Sequence, residues 1–189
     1  MADVHLPRRD FLSLLRGATV TAWFGAGWKE LHAAGRAAAA SAPQDPWLVL
    51  TKAQVAELDA ITAQLIPTDD YPGAREAHVV RFFDHALATF AKGQRAQLAT
   101  SLAKVGEFVA RQRPGVTLFT ALDREDQLAV LTTVEKEAPD VFWSIHGPAV
   151  TGMFANPEYG GNFGKAGWKA IGFDDRFSWA PPFGYYDRA

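Results

Sequence analysis

Residues 51–65, TKAQVAELDAITAQL, decide the fold class of this chain of 189 residues. The apolar side chains of this stretch recur every three or four residues, at Val55, Leu58, Ile61 and Leu65. This spacing places them on one face of an α-helix. Thr51 and Gln54 have the Thr-x-x-Gln order of a capping box, which satisfies free amide groups of the first turn, and Pro67 ends the helix. The stretch therefore predicts an amphipathic helix with one buried side.

Four more helices are predicted downstream, from the same apolar spacing and from helix-ending residues between the segments. They cover about residues 74–91, 94–112, 124–136 and a segment that begins at Pro139. Asp123 is the expected N-cap of the fourth helix, and Gly147-Pro148 is the expected site of a kink in the fifth. No stretch alternates apolar and polar residues over the length of a strand. The sequence thus predicts an all-α fold, an irregular bundle of about five helices.

The apolar spacing also assigns individual side chains to the core of this bundle. It predicts that Leu128 and Leu131 of the fourth helix are buried and that Val150 of the fifth faces inward. Residues 43–50, PQDPWLVL, precede the first helix and are predicted to be an extended linker, since the residue before a proline is biased away from helix.

The segment from Ala155 to the C-terminus is rich in glycine and aromatic residues and is predicted to be an extended tail without regular helix. It has too many aromatic rings for a solvated tail, so these rings need an apolar surface to cover. That surface belongs either to this chain's own helices or to another subunit, and both readings stay open. The partner-interface candidates are Tyr159, Gly160, Gly161, Asn162, Trp168, Phe173, Trp179, Phe183, Tyr185 and Tyr186.

The first 42 residues have the order of a removable export signal, in which charged residues precede an apolar stretch and then small residues. Paired arginines before Phe-Leu resemble the twin-arginine signal, which a translocase reads as an address. The signal residues are Arg8, Arg9, Phe11 and Leu12. Glycines break the apolar stretch, which falls short of the ~20 residues of a membrane span. We expect an export signal over residues 1–42 and one domain over residues 43–189, with an amphipathic N-terminal helix as the alternative.

Composition limits the partners and cofactors of the domain. Residues 43–189 carry 14 basic and 18 acidic side chains. This mildly acidic balance, without a basic stripe, argues against nucleic acid or anionic lipid as a partner. The chain has no cysteine, which excludes disulfides, thiolate metal sites, cysteine-bound iron–sulfur clusters and covalent c-type haem within it. A redox centre that works with this chain is thus expected in another subunit, unless this chain holds a flavin or a histidine-ligated metal.

Four short motifs of this chain are typical of one family. They are Pro67-Thr68-Asp69, Pro72-Gly73-Ala74, the block from Gly152 to Tyr159-Gly160-Gly161-Asn162, and Gly167-Trp168 with Ile171-Gly172-Phe173. These residues resemble the gluconate 2-dehydrogenase subunit 3 family, the small subunit of membrane-associated or periplasmic sugar and polyol dehydrogenases. The resemblance covers about residues 50–175, and its specific part is the Tyr-Gly-Gly-Asn block with the following Gly-Trp.

The resemblance implies that the chemistry belongs to a partner. Small subunits of this family bind a large FAD-containing subunit of the glucose–methanol–choline type, which oxidises a sugar hydroxyl. Electrons then leave through a cytochrome c or an iron–sulfur cluster of another subunit. We therefore expect a heterodimer in the periplasm, exported through the twin-arginine translocase and attached to the inner membrane, if at all, through partners. The substrate stays open among gluconate, glucose, fructose and the 3-hydroxyl of a glucoside.

No catalytic, cofactor or metal site is expected in the chain itself. His78 and His85 lie seven residues apart and could share a helix face, but a metal needs three or four converging ligands. Asp69 and Asp70 stand in a turn, where loop or helix capping is their expected role. The Gly160-Gly161 pair follows a helix rather than a strand, so it does not predict a dinucleotide site.

Two other functions remain open on the sequence. One is a stand-alone periplasmic enzyme or small-ligand binder whose pocket is the aromatic tail. The other is an export chaperone that leaves its cargo after delivery. The accessory subunit is the prediction that the sequence favours, because the family resemblance and the export signal agree with it.

Overall fold

The computed structural model describes residues 46–175, and the fold is all-α, without a β-strand in that range. Six α-helices lie there: α1 (Lys52–Leu65), α2 (Val79–Ala88), α3 (Arg95–Gln112), α4 (Arg124–Glu137), α5 (Pro139–Phe154) and α6 (Ala166–Ala170). Four 3₁₀ turns join them, at Lys92–Gln94, Phe119–Ala121, Pro157–Tyr159 and Phe163–Lys165. None of the helices within residues 46–175 has the length and apolarity that a membrane crossing requires.

The α5 helix is the centre of the bundle, since it packs against each of the other five helices. The core around it is built from large apolar side chains without solvent exposure, among them Leu58 on α1, Phe83 on α2 and Phe119 in a 3₁₀ turn. Burying a side chain of this size contributes about 2 kcal/mol of transfer free energy. One continuous core therefore holds the described residues together as a single bundle.

The predicted helix starts are confirmed where the signal is local. The Thr51 hydroxyl accepts from the Gln54 amide at 3.2 Å, and the Gln54 side chain accepts from the Thr51 amide at 2.9 Å, which completes the capping box. The Asp123 carboxylate accepts from the Asp126 amide at 2.9 Å and caps α4. Pro139 is the first residue of α5, where its missing N–H removes no helical hydrogen bond.

The second helix is shorter than predicted, because residues 74–78 form turns and α2 begins only at Val79. The Glu76 carboxylate accepts from the Gly73 amide at 2.9 Å and from the Thr68 hydroxyl at 2.7 Å. These bonds close residues 68–76 into a compact loop. His78 then has a left-handed backbone with φ of 54°, which stops the helix from extending backwards.

The predictions that Leu128 and Val150 are buried in the core are wrong. Leu128 of α4 is 58% exposed and Val150 of α5 is 36% exposed. In α4 the buried face is formed by Val130, Leu131 and Val134, and at about 100° per residue Leu128 lies beyond the edge of that face. Val150 lies on the side of α5 opposite its buried residues. The helix α5 is continuous through Gly147 and Pro148, and the kink there stays a prediction.

The prediction of a C-terminal tail without regular helix is also wrong for residues 155–175. This segment folds into the two 3₁₀ turns Pro157–Tyr159 and Phe163–Lys165 and the helix α6. Its glycines allow tight turns between these short elements, so the segment folds back onto the end of α5. Residues 176–189, with the candidates Trp179, Phe183, Tyr185 and Tyr186, lie outside the described residues, as does the export signal with Arg8, Arg9, Phe11 and Leu12.

Candidate partner-binding surface

Asn162 joins the glycine-rich segment to the end of α5. It is completely buried. Its side-chain amide donates to the Ala155 carbonyl at 2.9 Å, and its side-chain oxygen accepts from the Gly167 amide at 2.8 Å. The backbone of Asn162 is left-handed, with φ of 47°, a conformation that asparagine tolerates better than most residues. Asn162 therefore stabilises the packing of this segment in the protein interior, and it has no exposed surface that a partner could contact.

Two glycines allow the segment to lie directly on the last turn of α5. A Cβ atom on Gly161 would fall on the Gly152 carbonyl oxygen, and one on Gly167 would fall on the Met153 carbonyl oxygen. Both obstacles are backbone atoms, which cannot rotate away as a side chain can. Residues 156–173 thus form a cap on the C-terminal end of α5, which we call the glycine cap.

Trp168 completes the glycine cap. Its indole N–H donates to the Phe154 carbonyl at 2.7 Å, which satisfies an acceptor left free at the helix end. The Trp168 ring packs edge-on against Phe173, with ring centroids 5.2 Å apart. Phe173 is 48% exposed. The indole is thereby held in one orientation while its neighbour faces solvent.

The structure brings six of the ten partner-interface candidates together in this cap. Gly161 and Asn162 are buried, whereas Tyr159, Gly160 and Trp168 are half-buried and Phe173 is exposed. Tyr159 also packs against Phe90 next to α2, at 6.2 Å between ring centroids. The described candidates whose side chains have surface to offer a partner are therefore Tyr159, Trp168 and Phe173.

A second exposed apolar surface was missed by the sequence analysis. Trp143, Val150 and Phe154 project from one side of α5 and are 45%, 36% and 37% exposed. They lie seven and four residues apart, which is the repeat of one helix face. We call these three residues the α5 face. A signal was available, because no Asp, Glu, Lys or Arg occurs from residue 141 to residue 157.

His146 lies beside the α5 face among aromatic rings. Its ring stacks on Phe142 at 5.3 Å and meets Trp143 edge-on at 4.8 Å. Burial lowers the pKa of His146 from its ordinary value of 6.5, and the nearby Glu135 carboxylate offsets only part of that effect. Burial also lowers the pKa of His78, with a smaller contribution from the charge of Arg81. The folded protein therefore favours the neutral form of both histidines.

Acidification below the ordinary histidine pKa of 6.5 is expected to destabilise the fold. Above pH 6.5 both histidines are neutral in the folded and unfolded states, and the full stability is present. As the pH falls from 6.5 towards the lowered pKa values, the unfolded state takes up protons while the folded state stays neutral, and stability is lost. Thermal unfolding between about pH 7 and pH 5 measures this loss, and a His146→Phe variant should show a smaller one. An equal loss in both proteins would contradict the role given to His146.

The pH range in which the histidines reduce stability differs from the range in which the carboxylates do so. The pKa of Glu76 is lowered chiefly by the hydrogen bond from the Thr68 hydroxyl, and that of Glu137 by the hydrogen bond from Arg111. Both carboxyls have an ordinary value of 4.5, so their contribution is lost only at more acidic pH.

Asp84 anchors the segment that leads into α1. This buried carboxylate on α2 accepts hydrogen bonds from three consecutive backbone amides, from Leu48 at 2.7 Å and from Val49 and Leu50 at 3.0 Å. Just upstream, the Arg81 guanidinium lies 3.9 Å from the centre of the Trp47 ring. The predicted linker is therefore fixed on the bundle from residue 47 onward, by a residue that the sequence analysis did not single out.

The polar candidates Asp69, Asp70, His78 and His85 all lie within the described residues 46–175. Asp69 accepts from the Tyr71 amide at 2.8 Å and closes its own turn, as predicted. His78 stacks on Phe163 of the glycine cap at 4.2 Å, and His85 is buried on α2. Within the described range, no three histidine or carboxylate side chains converge as a metal site would require. Clefts of about 170 and 300 Å³ open beside Arg75, and neither is lined by the aromatic residues of the glycine cap.

The described part of the chain is an all-α bundle with a glycine cap packed on the end of its central helix and an exposed apolar face on that helix. The chain belongs to the gluconate 2-dehydrogenase subunit 3 family, which it matches over residues 52–175. This match begins at the first residue of α1 and ends five residues beyond α6. Comparisons with curated proteins and with solved structures give no match.

Proposed function

We propose that this chain is the non-catalytic small subunit of a periplasmic sugar or glycoside dehydrogenase complex. Its partner is a large FAD-containing subunit of the glucose–methanol–choline type, which removes hydride from a sugar hydroxyl such as that of gluconate, glucose, fructose or a glucoside. A cytochrome c or an iron–sulfur cluster of another subunit takes the electrons. The chain itself supplies binding surface, stability and an export address to the catalytic subunit.

The observation that carries this proposal is the family match over all six described helices, since the family is named as a subunit of a dehydrogenase. The exposed α5 face supports it, because apolar patches with aromatic side chains mark interaction sites more often than single exposed residues do. The absence of cysteine from the chain agrees with electron carriers held by other subunits.

The export role rests on the twin-arginine pattern at Arg8 and Arg9. The twin-arginine route carries folded proteins, so a partner bound in the cytoplasm would cross with this chain. The Leu48, Val49 and Leu50 amides are bonded to Asp84, so the folded bundle begins only a few residues after the predicted end of the leader at residue 42. A single signal on the small subunit would then serve both chains.

Expression of the catalytic subunit without this chain is expected to give insoluble protein or protein that stays in the cytoplasm. Expression of both chains should give a soluble periplasmic complex that is yellow from its flavin and oxidises the sugar. A control in which Arg8 and Arg9 are both lysine should leave an active complex in the cytoplasm, because only the address is changed. A soluble, exported and fully active large subunit made alone would contradict the proposal.

A further inference from the structure

We infer that the α5 face, formed by Trp143, Val150 and Phe154, is the central docking surface for the catalytic subunit. Its occupant is an uncharged, apolar surface of that subunit. This inference rests on the proposed function and adds to it the place of contact. It also adds residues that the sequence pattern did not select, since Val150 was expected in the core.

The geometry of the α5 face suits an interface centre. Trp143 and Phe154 are eleven residues apart, so the face is about 16 Å long at 1.5 Å per residue. At its C-terminal end the face continues into Trp168 and Phe173 of the glycine cap, because the Trp168 indole is bonded to the Phe154 carbonyl. A partner would therefore meet side chains on a regular helix and a fixed cap, which lose little conformational freedom on binding.

The lack of charged side chains along α5 from residue 141 onward indicates which kind of partner surface would bind there. No Asp, Glu, Lys or Arg lies between residues 141 and 157, so a partner can cover this face without removing one of those charges from water. A charged partner surface would lose its hydration here, and α5 offers it no Asp, Glu, Lys or Arg to pair with from residue 141 to its end. Aromatic side chains such as Trp143 are also enriched among residues that dominate binding energy. The complementary surface is therefore apolar.

The small exposed apolar area of the α5 face favours a larger partner over a second copy of this chain. From their exposed fractions, Trp143, Val150, Phe154 and Phe173 present about 300 Å² of apolar surface in total. Two copies joined through this face alone would bury about 600 Å², which is below the roughly 1,200 Å² of a stable interface. A large subunit can cover the face and the surrounding residues together, so the face becomes the core of a wider contact.

The test compares two exposed apolar positions on different helices. Full-length chain is co-expressed with its large subunit, either as wild type, as Val150→Arg or as the control Leu128→Arg. Both positions are at least one-third exposed, so circular dichroism and thermal unfolding should report folded protein for each. We expect Val150→Arg to weaken the complex at least about 100-fold, because the introduced charge would be buried unpaired. Leu128→Arg should stay within about twofold, as a surface change outside the interface.

A second variant covers the case in which Val150→Arg does not fold. Trp143→Ala removes the largest side chain of the α5 face and is expected to weaken the complex about 10- to 100-fold. Unchanged affinity in the folded variants would overturn the inference. A wild-type chain that fails to bind the large subunit at all would instead refute the proposed function, so the two failures are distinguishable.

Two other occupants would overturn the inference by a measurable result. A second copy would make the isolated chain a dimer in light scattering, and Val150→Arg would make it a monomer. The chain's own residues 176–189 would protect Trp143 from hydroxyl-radical oxidation, and truncation after Asp175 would remove that protection. We expect a monomer whose Trp143 is oxidised equally with and without these residues, and protected only when the large subunit is bound.

Discussion

Replacing Asp84 with alanine is expected to lower the free energy of unfolding by about 3 kcal/mol, because it leaves backbone donors without an acceptor in the protein interior. The carboxylate accepts from three successive amides, and the Leu50 amide among them is fully buried. Water cannot replace the lost bond at Leu50 without entering the core. A loss of this size corresponds to a fall of about 10 °C in the melting temperature of a domain of this length.

The Asp84→Asn variant separates the loss of acceptors from the loss of shape. One carboxylate oxygen accepts from Val49 and Leu50, and the other accepts from Leu48. Asparagine can keep the first pair but must place an NH₂ group against the Leu48 amide or lose that contact. Its stability should lie between those of wild type and Asp84→Ala.

Amide hydrogen exchange gives a local check on the same prediction. In Asp84→Ala the amides of residues 48–50 should lose protection before those of α5. Asp70→Ala, at an exposed loop position, is the control and should change the free energy of unfolding by less than about 0.5 kcal/mol. A melting temperature of Asp84→Ala equal to that of the control would show that Asp84 does not anchor this segment.

The parts of the fold that follow from local chemistry could be predicted from the sequence. The capping box at Thr51, the N-cap at Asp123 and the first-turn proline at Pro139 each depend on neighbours within four residues. Such signals are visible in any sequence, because the groups that satisfy a helix end lie next to it in the chain. These three helix starts are accordingly placed where the structure has them.

The side of a helix that faces the core was harder to predict. The prediction for α4 rested on the pair Leu128 and Leu131, and only Leu131 is buried. Apolar residues occur on both sides of α4 and α5, so spacing alone does not decide which of them face inward. On α5 this ambiguity led to the wrong prediction that Val150 faces inward. The stretch without Asp, Glu, Lys or Arg, from residue 141 to residue 157, contains core residues and also the candidate docking surface.

Contacts between distant segments left no local pattern to read. Asp84 and the amides that it accepts are 34–36 residues apart, and nothing around Asp84 marks it as an anchor. The glycine cap was predicted only in part for a related reason. The sequence leaves open whether this segment packs on the chain's own helices or on a partner, because the answer depends on the position of the α5 carbonyls, which only the folded structure provides. The family resemblance identified this block as the specific part of the chain but did not decide between internal packing and partner binding.

Replacing Gly161 with alanine is expected to cost roughly 3–5 kcal/mol, the second of the two largest effects expected in this chain. The added Cβ would fall on the Gly152 carbonyl oxygen and lie 2.9 Å from its carbon. Since these are backbone atoms of the central helix, the glycine cap must move away from α5. That movement would break the Asn162 bonds to Ala155 and Gly167. Urea unfolding and tryptophan fluorescence would measure the loss of stability and the release of the cap.

Two other glycines separate the collision from the general effect of adding a methyl group. Gly164 has a left-handed φ of 60° but nothing within 4 Å of the added Cβ, so Gly164→Ala should cost only about 1 kcal/mol of backbone strain. Gly93 has neither restriction, so Gly93→Ala should be neutral or stabilising by about 0.5 kcal/mol. The order Gly161, Gly164, Gly93 is the result required if close packing on α5 is what this motif encodes. Equal costs at Gly161 and Gly164 would mean that turn conformation alone explains these glycines. Close packing of Gly161 on α5 would then not be the reason for the motif.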